Sequence, residues 1–215
     1  MIPLIQNFQT VILADGSFPK HPVPLSFLRS GRPVVCCDGA IKNLLAVGLE
    51  PDYIIGDLDS ISSELKKRFA SILHHNPDQE TNDLTKAVHF CLKNQWTKIT
   101  ILGATGKRED HTLGNLSLLT EYEEIVQVQA LTDYGVFTPQ LKSVVYESYR
   151  GQQVSIFSLT NNTFLSSENL RYPLEHRALT SWWQGTLNES LSDQFNIRMD
   201  QGKLLIFREY FSGKI

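Results

Sequence analysis

Short apolar runs alternate with helical stretches along the first part of the chain, and this alternation limits the folds that it can adopt. The apolar runs lie at residues 10–14, 33–37, 53–55, 71–74, 98–102 and 125–131. Helices are predicted at residues 25–29, 40–47, 62–70, 81–93 and 110–122. A helix between two strands is the usual crossover that lets the strands lie parallel. The sequence therefore predicts an α/β fold, with a Rossmann-like parallel sheet domain over residues 1–140.

Local patterns set the expected boundaries of the helices. The helix at residues 81–93 has the strongest pattern, because apolar side chains recur on one of its faces. Prolines at positions 19, 22 and 24 remove backbone N–H donors and fix φ. We therefore expect no regular structure in that stretch before residue 25.

After about Pro139 the helical pattern ends. Short β-like runs remain at residues 151–159, 163–165, 178–183 and 202–208, separated by Asn, Gly and Ser. Short strands with frequent turn residues are typical of a small sandwich or barrel. The sequence therefore predicts a smaller C-terminal all-β domain over residues 141–215.

Composition excludes several classes of partner. A net charge of -3 gives no reason to expect nucleic acid or an anionic membrane surface. No apolar run approaches the roughly 20 residues that span a bilayer, and the N-terminus does not resemble a signal peptide. Three cysteines, an odd number, do not suggest a disulfide framework. They are expected to be buried core residues in a reducing cytoplasm.

The acidic stretch Gly56-Asp57-Leu58-Asp59 follows the third predicted strand. If the backbone stays extended there, side chains two residues apart point the same way, so Asp57 and Asp59 project together. Two carboxylates that lie so close repel each other unless a cation lies between them. The alternative is an ordinary acidic turn at the end of a strand, where aspartate is common.

Other acidic or glycine-rich turns follow predicted strands or begin a helix. Asp38-Gly39 follows the second strand, residues 103–110 follow the strand at 98–102, and Asp83 lies in the first turn of its helix. Ligands of open α/β sheets bind beyond the carboxyl ends of the strands, so these turns are expected to meet in one crevice. Taken alone, Asp38 could simply cap a helix and Asp83 could simply favour the helix dipole.

The side chains in these turns combine carboxylates with cationic groups. They are Asp38, Asp57, Asp59, Asp83 and Asp110, with Lys86, Lys107, Arg108 and His111 beside them. Hard oxygen ligands suit Mg²⁺, which normally uses one or two carboxylates plus substrate phosphates, and helix starts suit phosphate oxygens. The pattern predicts a Mg²⁺–nucleotide site for transfer of a phosphorus group. The P-loop and dinucleotide-binding glycine motifs are absent, which argues against a P-loop protein and a dinucleotide-dependent dehydrogenase.

In their order along the chain, these motifs resemble the thiamine pyrophosphokinase family. The matching stretches are Cys37-Asp38-Gly39-Ala40 and residues 51–60, 78–86 and 103–111. Gly-Asp-x-Asp-Ser followed by Arg-x-Asp-His is specific in that order. The C-terminal part is similar more loosely, at residues 151–159, 169–174, 185–189 and 202–207.

The resemblance implies a homodimer with active sites between the subunits. Each chain would have an α/β nucleotide domain and a C-terminal β-sandwich. The reaction would convert ATP and thiamine to thiamine diphosphate and AMP, by in-line attack of the thiamine hydroxyl on the β-phosphorus. Either Asp57 or Asp59 could accept the proton of that hydroxyl.

Carried over by position, the resemblance implies roles for individual side chains. Asp57, Asp59 and Asp83 would hold Mg²⁺, and Asp110 would be a fourth catalytic residue. The nucleotide and its phosphates would contact Asp38, Gly39, Lys86, Gly103, Arg108, Asp110 and His111. Thiamine would contact Gln79, Tyr172, Thr186 and Asn188.

Two residues depart from the family pattern. Leu187 stands where a serine usually precedes Asn188, and Asn82 stands where a threonine commonly precedes Asp83. Both changes affect the expected substrate contacts, and neither alters a predicted metal ligand. Two functions of other classes stay open: a Mg²⁺-dependent hydrolase of phosphate esters, and a non-catalytic sensor that binds thiamine or a nucleotide.

Overall fold

The computed structural model describes residues 7–210 and shows a mixed α/β fold with two separate sheets. The strands in this part of the chain are β1 Thr10–Leu13, β2 Val34–Cys37, β3 Tyr53–Gly56, β4 Leu73–His75, β5 Lys98–Leu102, β6 Gln127–Leu131, β7 Gly135–Gln140, β8 Val144–Glu147, β9 Gln153–Ser158, β10 Phe164–Glu168, β11 Arg177–Ala178, β12 Asn188–Glu189, β13 Gln194–Met199 and β14 Leu204–Glu209. The α-helices are α1 Pro22–Leu28, α2 Ile41–Ala46, α3 Ser63–Arg68, α4 Asp83–Lys93 and α5 Glu109–Tyr122. Short 3₁₀ helices lie at Asp38–Ala40, Ala70–Ile72 and Trp182–Gly185.

The large sheet has the strand order β12-β9-β14-β7-β6-β5-β1-β2-β3-β4. Strands β1 to β6 run parallel to one another, as the alternation of strands and helices predicts. The strand order reverses at β1, where Ile12 lies opposite Val35 of β2 on one side and Ile101 of β5 on the other. A ligand crevice is expected beyond the carboxyl ends of the strands at such a reversal.

Helices cover both faces of these parallel strands, because successive side chains of a strand point to opposite faces. From β1, Val11 and Leu13 pack with Phe27 of α1 and Ile41 of α2. Ile12, between them, packs on the opposite face with residues of α4 and α5. Complete burial of an aliphatic side chain of this size contributes about 1.5–3 kcal/mol to folding. The two apolar layers fix the strand ends, and with them the turns that follow.

The large sheet continues into the C-terminal part of the chain through antiparallel strands. Strand β7 pairs with β6 and with β14, and β14 pairs with β9, so the sheet extends across residue 140. The second sheet is antiparallel and has the order β11-β10-β13-β8. Ile156 and Ile206 of the large sheet share an apolar core with Phe195 and Ile197 of the small one. This shared core joins the two sheets.

Helix α1 begins at Pro22, three residues before the predicted start at residue 25. Pro22 and Pro24 lie in its first turn, where backbone N–H groups have no intrahelical partner and the fixed φ of proline suits a helix. His21 caps the helix, because its Nδ1 accepts the Val23 N–H at 3.2 Å. The expectation of no regular structure before residue 25 is therefore wrong.

The strand predicted at residues 178–183 is also wrong. Its first residue ends the two-residue strand β11, and Trp182–Gly185 forms a 3₁₀ helix. A capping box stabilises the N-terminus of that helix, where Gln184 Oε1 accepts the Ser181 N–H at 3.1 Å. Strands β7, β8, β12 and β13 lie outside the predicted runs. None of the helices between residues 7 and 210 combines the length and the apolar character needed to cross a membrane.

Candidate active site

A crevice of about 590 Å³ lies where the carboxyl ends of β1, β2 and β3 meet the first turns of α4 and α5. It brings together most of the side chains that the sequence places in one site. The predicted site residues that line it are Asp38, Gly39, Asp57, Gln79, Asp83, Lys86, Arg108 and His111. Asp59, Gly103 and Asp110 do not line the crevice, but each is next in sequence to a residue that does.

The floor of the crevice is closed by backbone contacts between the turns that follow β1 and β5. The Ala14, Gly16 and Ser17 N–H groups donate to the carbonyl oxygens of Leu102, Gly103 and Thr105, at 2.8, 2.7 and 2.7 Å. A Cβ at Gly16 would lie only 2.3 Å from the Gly103 and Thr105 oxygens. Position 16 therefore requires glycine for close approach of the two backbones.

We expect Gly16→Ala to destabilise the fold by about 1–3 kcal/mol, because the added methyl group would force these turns apart. The control is Gly114→Ala in α5, where a Cβ would meet no atom within 4 Å. That change should stabilise the protein by about 0.5–1 kcal/mol, as alanine in place of glycine does inside a helix. Urea unfolding of both variants measures the effects. A wild-type midpoint for Gly16→Ala would contradict the close approach.

The acidic stretch after β3 does not stay extended. Leu58 has a φ of +67°, in the left-handed region, and the Asp59 N–H donates to Asp57 Oδ1 at 3.1 Å. The chain therefore turns at Leu58, and the argument that an extended backbone aligns Asp57 with Asp59 is wrong. Asp57 lines the crevice, whereas Asp59 is exposed.

Asp38, at the end of β2, is the most buried carboxylate of the crevice. Its residue is 2% exposed, and Oδ2 has no hydrogen-bond partner within residues 7–210. Burial first, and then the nearby charges of Asp83 and Asp57, raise the pKa of Asp38 to about 6, although N–H donors from Gly39 and Leu58 act in the opposite direction. A buried carboxylate with an unpartnered oxygen is a position at which a cation or a proton donor would be stabilised.

Asp57 and Lys86 carry the opposite charges of the central part of the site. The pKa of Asp57 is lowered, first by the Asp59 N–H that it accepts and then by the charge of Lys86 and a hydrogen bond from Gln79. Lys86 is only 4% exposed, and its Nζ donates to Asp83 Oδ1 at 3.1 Å, one turn earlier on α4. The buried ammonium therefore compensates part of the negative charge of Asp57 and Asp83. The remaining charge of these two carboxylates acts on Asp38.

The position of Asn82 explains why asparagine can replace the threonine of the family pattern. It is the N-cap of α4, and its Oδ1 accepts the Thr85 N–H at 2.9 Å. Asparagine and threonine are both good N-cap residues, so the exchange keeps the helix start. Asn82 Nδ2 also donates to Asn115 Oδ1 of α5 at 3.3 Å, which ties together the two helices that border the crevice.

Arg108 and Asp110 form an exposed pair at the start of α5. Arg108 Nε donates to Asp110 Oδ1 at 3.0 Å, and the His111 N–H donates to the same oxygen at 2.9 Å. The hydrogen bonds from Arg108 are the main reason that the pKa of Asp110 is lowered to about 2. Asp110 therefore remains ionised and fixes Arg108 beside the crevice.

The predicted thiamine residues fall into two groups. Gln79 lines the crevice, but Tyr172, Thr186 and Asn188 do not. Asn188 is buried and accepts the Tyr172 N–H at 3.1 Å while donating to the Tyr172 carbonyl at 2.8 Å, so it holds Tyr172 in place. Tyr172 is 63% exposed, and Leu187, with a φ of +57°, is 79% exposed. Within one chain the structure does not bring these C-terminal residues to the crevice.

The carboxylates of the crevice meet the ligand requirements of Mg²⁺. Within residues 7–210, no three His, Cys, Asp or Glu side chains surround a common metal position. Mg²⁺ normally needs only one or two carboxylates, because substrate phosphates and water supply the other oxygens. The unpartnered Oδ2 of Asp38 and the nearby carboxylates of Asp57 and Asp83 are hard oxygen donors of that kind. The residues therefore fit a divalent ion that arrives with a phosphate ligand.

A second cavity, of about 650 Å³, lies along β4 and α4 and shares Lys86 with the crevice. Three histidines, two lysines, two asparagines and three apolar side chains line it, and no carboxylate does. We place the site in the crevice because the strand ends, the carboxylates and the glycine turns meet there.

The crevice is also lined by Asp15 and Asn115, for which no role was predicted, and by Lys107, which was predicted only as a cation beside the carboxylates. Asp15 and Lys107 form an ion pair at 2.6 Å, and Asn115 Nδ2 donates to the Ala104 carbonyl at 2.9 Å. The sequence signal for Asp15 was available, since Asp15-Gly16 follows the first strand as Asp38-Gly39 follows the second. Its significance depends on β1 being next to β5, which the sequence pattern does not establish.

Comparison with known proteins identifies two matching regions. Residues 26–130 match the thiamin pyrophosphokinase catalytic domain, and residues 135–207 match the thiamin pyrophosphokinase substrate-binding domain. Thiamine pyrophosphokinase 1 of Oryza sativa subsp. japonica is 37% identical over 152 residues, which cover 59% of this chain and 57% of the relative. Thiamin pyrophosphokinase 1 of Caenorhabditis elegans is 34% identical over 160 residues, which cover 67% and 65%. These matches span less than two thirds of either curated relative.

Solved structures show the same fold. The thiamine pyrophosphokinase of Bacillus subtilis has a TM-score of 0.76 at 22% identity, covering 94% of this chain and 99% of that chain. Yeast thiamin pyrophosphokinase has a TM-score of 0.77 at 18% identity, covering 98% and 89%. The catalytic-domain match precedes the substrate-binding-domain match along the chain, and the similarity of fold covers both regions. The chain therefore belongs to the thiamin pyrophosphokinase family.

Proposed function

We propose that this protein is a thiamine diphosphokinase, which transfers the pyrophosphoryl group of ATP to the hydroxyl of thiamine and releases AMP. The observation that carries the proposal is the crevice: in a chain of this family, Asp38, Asp57 and Asp83 meet Lys86 at the carboxyl ends of the parallel strands. This is the position at which open α/β sheets bind ligands. Its charges suit a polyphosphate that is accompanied by a divalent cation.

Each side chain of the crevice has a proposed task. Asp57, Asp59 and Asp83 would hold Mg²⁺, which would neutralise charge on the phosphates. Lys86 is fixed by Asp83, so it presents a preorganised positive charge, while Arg108, His111, Asp110 and Gly103 border the nucleotide. Asp38 and Gly39 form the wall opposite. Such groups act mainly by positioning and by charge stabilisation.

The proton of the attacking hydroxyl needs a carboxylate within hydrogen-bond reach. Of the two candidates from the sequence, Asp57 lines the crevice and Asp59 is exposed. We therefore assign the proton to Asp57. Thiamine then lies on the Gln79 side of the crevice, since Gln79 donates a hydrogen bond to Asp57.

The C-terminal thiamine residues complete the site from a second copy of the chain. Tyr172, Thr186 and Asn188 do not line the crevice of their own chain, and Tyr172 is largely exposed. We propose a homodimer in which these residues face the crevice of the partner. An exposed aromatic ring can pack on a flat, cationic heterocycle.

The finer description of the architecture and the setting belongs to the same proposal. The parallel part is Rossmann-like and binds the nucleotide, the two sheets after residue 140 form a sandwich that binds thiamine, and a boundary near residues 140 and 141 separates these roles. We place the enzyme in the cytoplasm. All three cysteines are buried and unpaired, as expected in a reducing compartment.

Incubation of the purified protein with ATP, Mg²⁺ and thiamine tests the proposal. AMP and thiamine diphosphate should form in equal amounts, only when thiamine is present, and chelation of the metal should stop both. Chromatography of the products measures this. Release of phosphate or ADP without thiamine would instead indicate a hydrolase, and binding without any product would indicate a sensor.

A further inference from the structure

The turns after β1 and β5 each contribute one charged side chain to the lining of the crevice. Lys107 Nζ donates to Asp15 Oδ1 at 2.6 Å, and both residues line the crevice. The three backbone hydrogen bonds between these turns fix the two residues relative to each other. The ion pair therefore lies on a rigid support at the point where the strand order reverses.

Stability does not explain this ion pair. Its side chains are 48% and 45% exposed, and ion pairs at such exposure add little to the free energy of folding. Lys107 also has a φ of +60°, a left-handed conformation that is unfavourable for a lysine, and it follows Gly106 at +81°. Backbone strain of this kind concentrates at ligand-binding sites.

The other cations Lys86 and Arg108 also have carboxylate partners. Lys86 is buried against Asp83, and two nitrogens of Arg108 are bonded to Asp110. Within residues 7–210, the Lys107 ammonium donates to Asp15 alone, so two of its three N–H donors are available to a ligand. Asp15 also packs on the opposite wall, since a Cβ at Gly39 would lie 2.6 Å from Asp15 Oδ2. The Asp15 carboxylate therefore contacts both Lys107 and the wall at Gly39, and it holds the ammonium at the crevice.

On the basis of the proposed function, we propose that Lys107 binds a terminal phosphate of the nucleotide and that Asp15 is the residue that positions it. The ligand class is a nucleoside polyphosphate. The contact is a charge-assisted hydrogen bond from the ammonium to a phosphate oxygen, made while one N–H stays on Asp15. Asp15 contacts no substrate and acts through Lys107.

Calorimetric titration with ATP, AMP and adenosine tests the assignment in wild type, Lys107→Met, Asp15→Asn and the double variant. Lys107→Met should weaken ATP binding by about 10–100-fold, the usual effect of a lost hydrogen bond to a charged group, and should leave adenosine binding unchanged. Asp15→Asn should weaken ATP binding less, and it should have no further effect once Lys107 is replaced. The matched control, Lys67→Met, removes a lysine of α3 that is exposed outside the crevice and should bind ATP like wild type.

Several results would overturn the assignment. They are wild-type ATP binding by Lys107→Met, an equal loss for ATP and adenosine, and an Asp15→Asn effect that persists in the double variant. Thermal unfolding of each variant separates a folding defect from a binding defect, and Lys107→Arg should recover part of the affinity for ATP. If wild type binds ATP but makes no thiamine diphosphate, the proposed function is wrong, but the binding constants still test whether Lys107 contacts the phosphate. If wild type does not bind ATP, both fail.

Discussion

Asp57→Asn is expected to lower the turnover of ATP and thiamine by about 10²–10³-fold while the protein remains folded, an effect of the size seen when one charge-stabilising group is removed from an active site. Asp57 is the carboxylate of the crevice with contacts to both neighbouring turns and to the charge of α4. It lines the crevice, accepts hydrogen bonds from the Asp59 N–H and from Gln79, and lies in the field of Lys86. Asparagine keeps the shape but loses the charge that a divalent ion requires.

The measurement is a steady-state assay combined with thermal unfolding. The Asp193→Asn variant serves as a control, because Asp193 is an exposed carboxylate outside the crevice, and its turnover should match wild type. Asp59→Asn belongs in the same series. Loss of turnover there would support Asp59 as a metal ligand, and wild-type turnover would remove it from the set. Turnover of Asp57→Asn within about 10-fold of wild type, less than one lost transition-state contact costs, would refute the proposed role of Asp57.

The parallel half of the fold could be predicted because its signals are local. Apolar runs that end at Asp-Gly, Gly-Asp or Gly-x-x-Gly turns place β1, β2, β3 and β5 within a residue or two of their observed bounds. The crevice then follows from topology, since parallel strands bring their carboxyl ends to one edge. For that reason Asp38, Asp57 and Asp83 come together although they are far apart in sequence.

Other features could not be predicted because they depend on contacts between distant segments. The ion pair of Asp15 and Lys107 exists because β1 pairs with β5 and the turns beyond them are bonded together. The turn at Leu58 depends on a left-handed backbone and on a side-chain hydrogen bond, neither of which an apolar pattern indicates. Strand β13 is a different case, because its residues alternate strictly between polar and apolar, the pattern of a half-buried strand. The sequence therefore carries a signal for β13 that the prediction did not use.

Asp38→Asn is expected to have opposite effects on activity and on stability. Turnover should fall by about 10²-fold or more, because the crevice loses a carboxylate that, in the proposed function, faces the metal and phosphates. The metal-free protein should become more stable at neutral pH. Asp38 is 2% exposed, and its Oδ2 has no hydrogen-bond partner within residues 7–210. Asparagine would carry no charge to repel Asp57 and Asp83 and could donate a hydrogen bond towards them.

The sign of the pH dependence follows from the pKa of Asp38. Burial, and then the charges of Asp83 and Asp57, raise that pKa from 3.8 to about 6 in the folded protein. Between these two values the folded state holds more protons than the unfolded state, so stability falls as the pH rises. A difference of roughly two pKa units corresponds to about 3 kcal/mol lost above pH 6. Asparagine does not titrate, so its variant escapes this loss.

Urea unfolding of wild type and Asp38→Asn, in chelator and over a series of pH values, measures the effect. The two proteins should be equally stable at a pH below the ordinary pKa of 3.8, and the variant should gain progressively until the pH exceeds about 6. The control Asp193→Asn should follow wild type throughout, since Asp193 is exposed. A gap that stays constant with pH would show that Asp38 is not held protonated by its surroundings. A difference in the free energy of unfolding that grows as the pH rises, together with lost turnover, would show that Asp38 destabilises the fold but is required for activity.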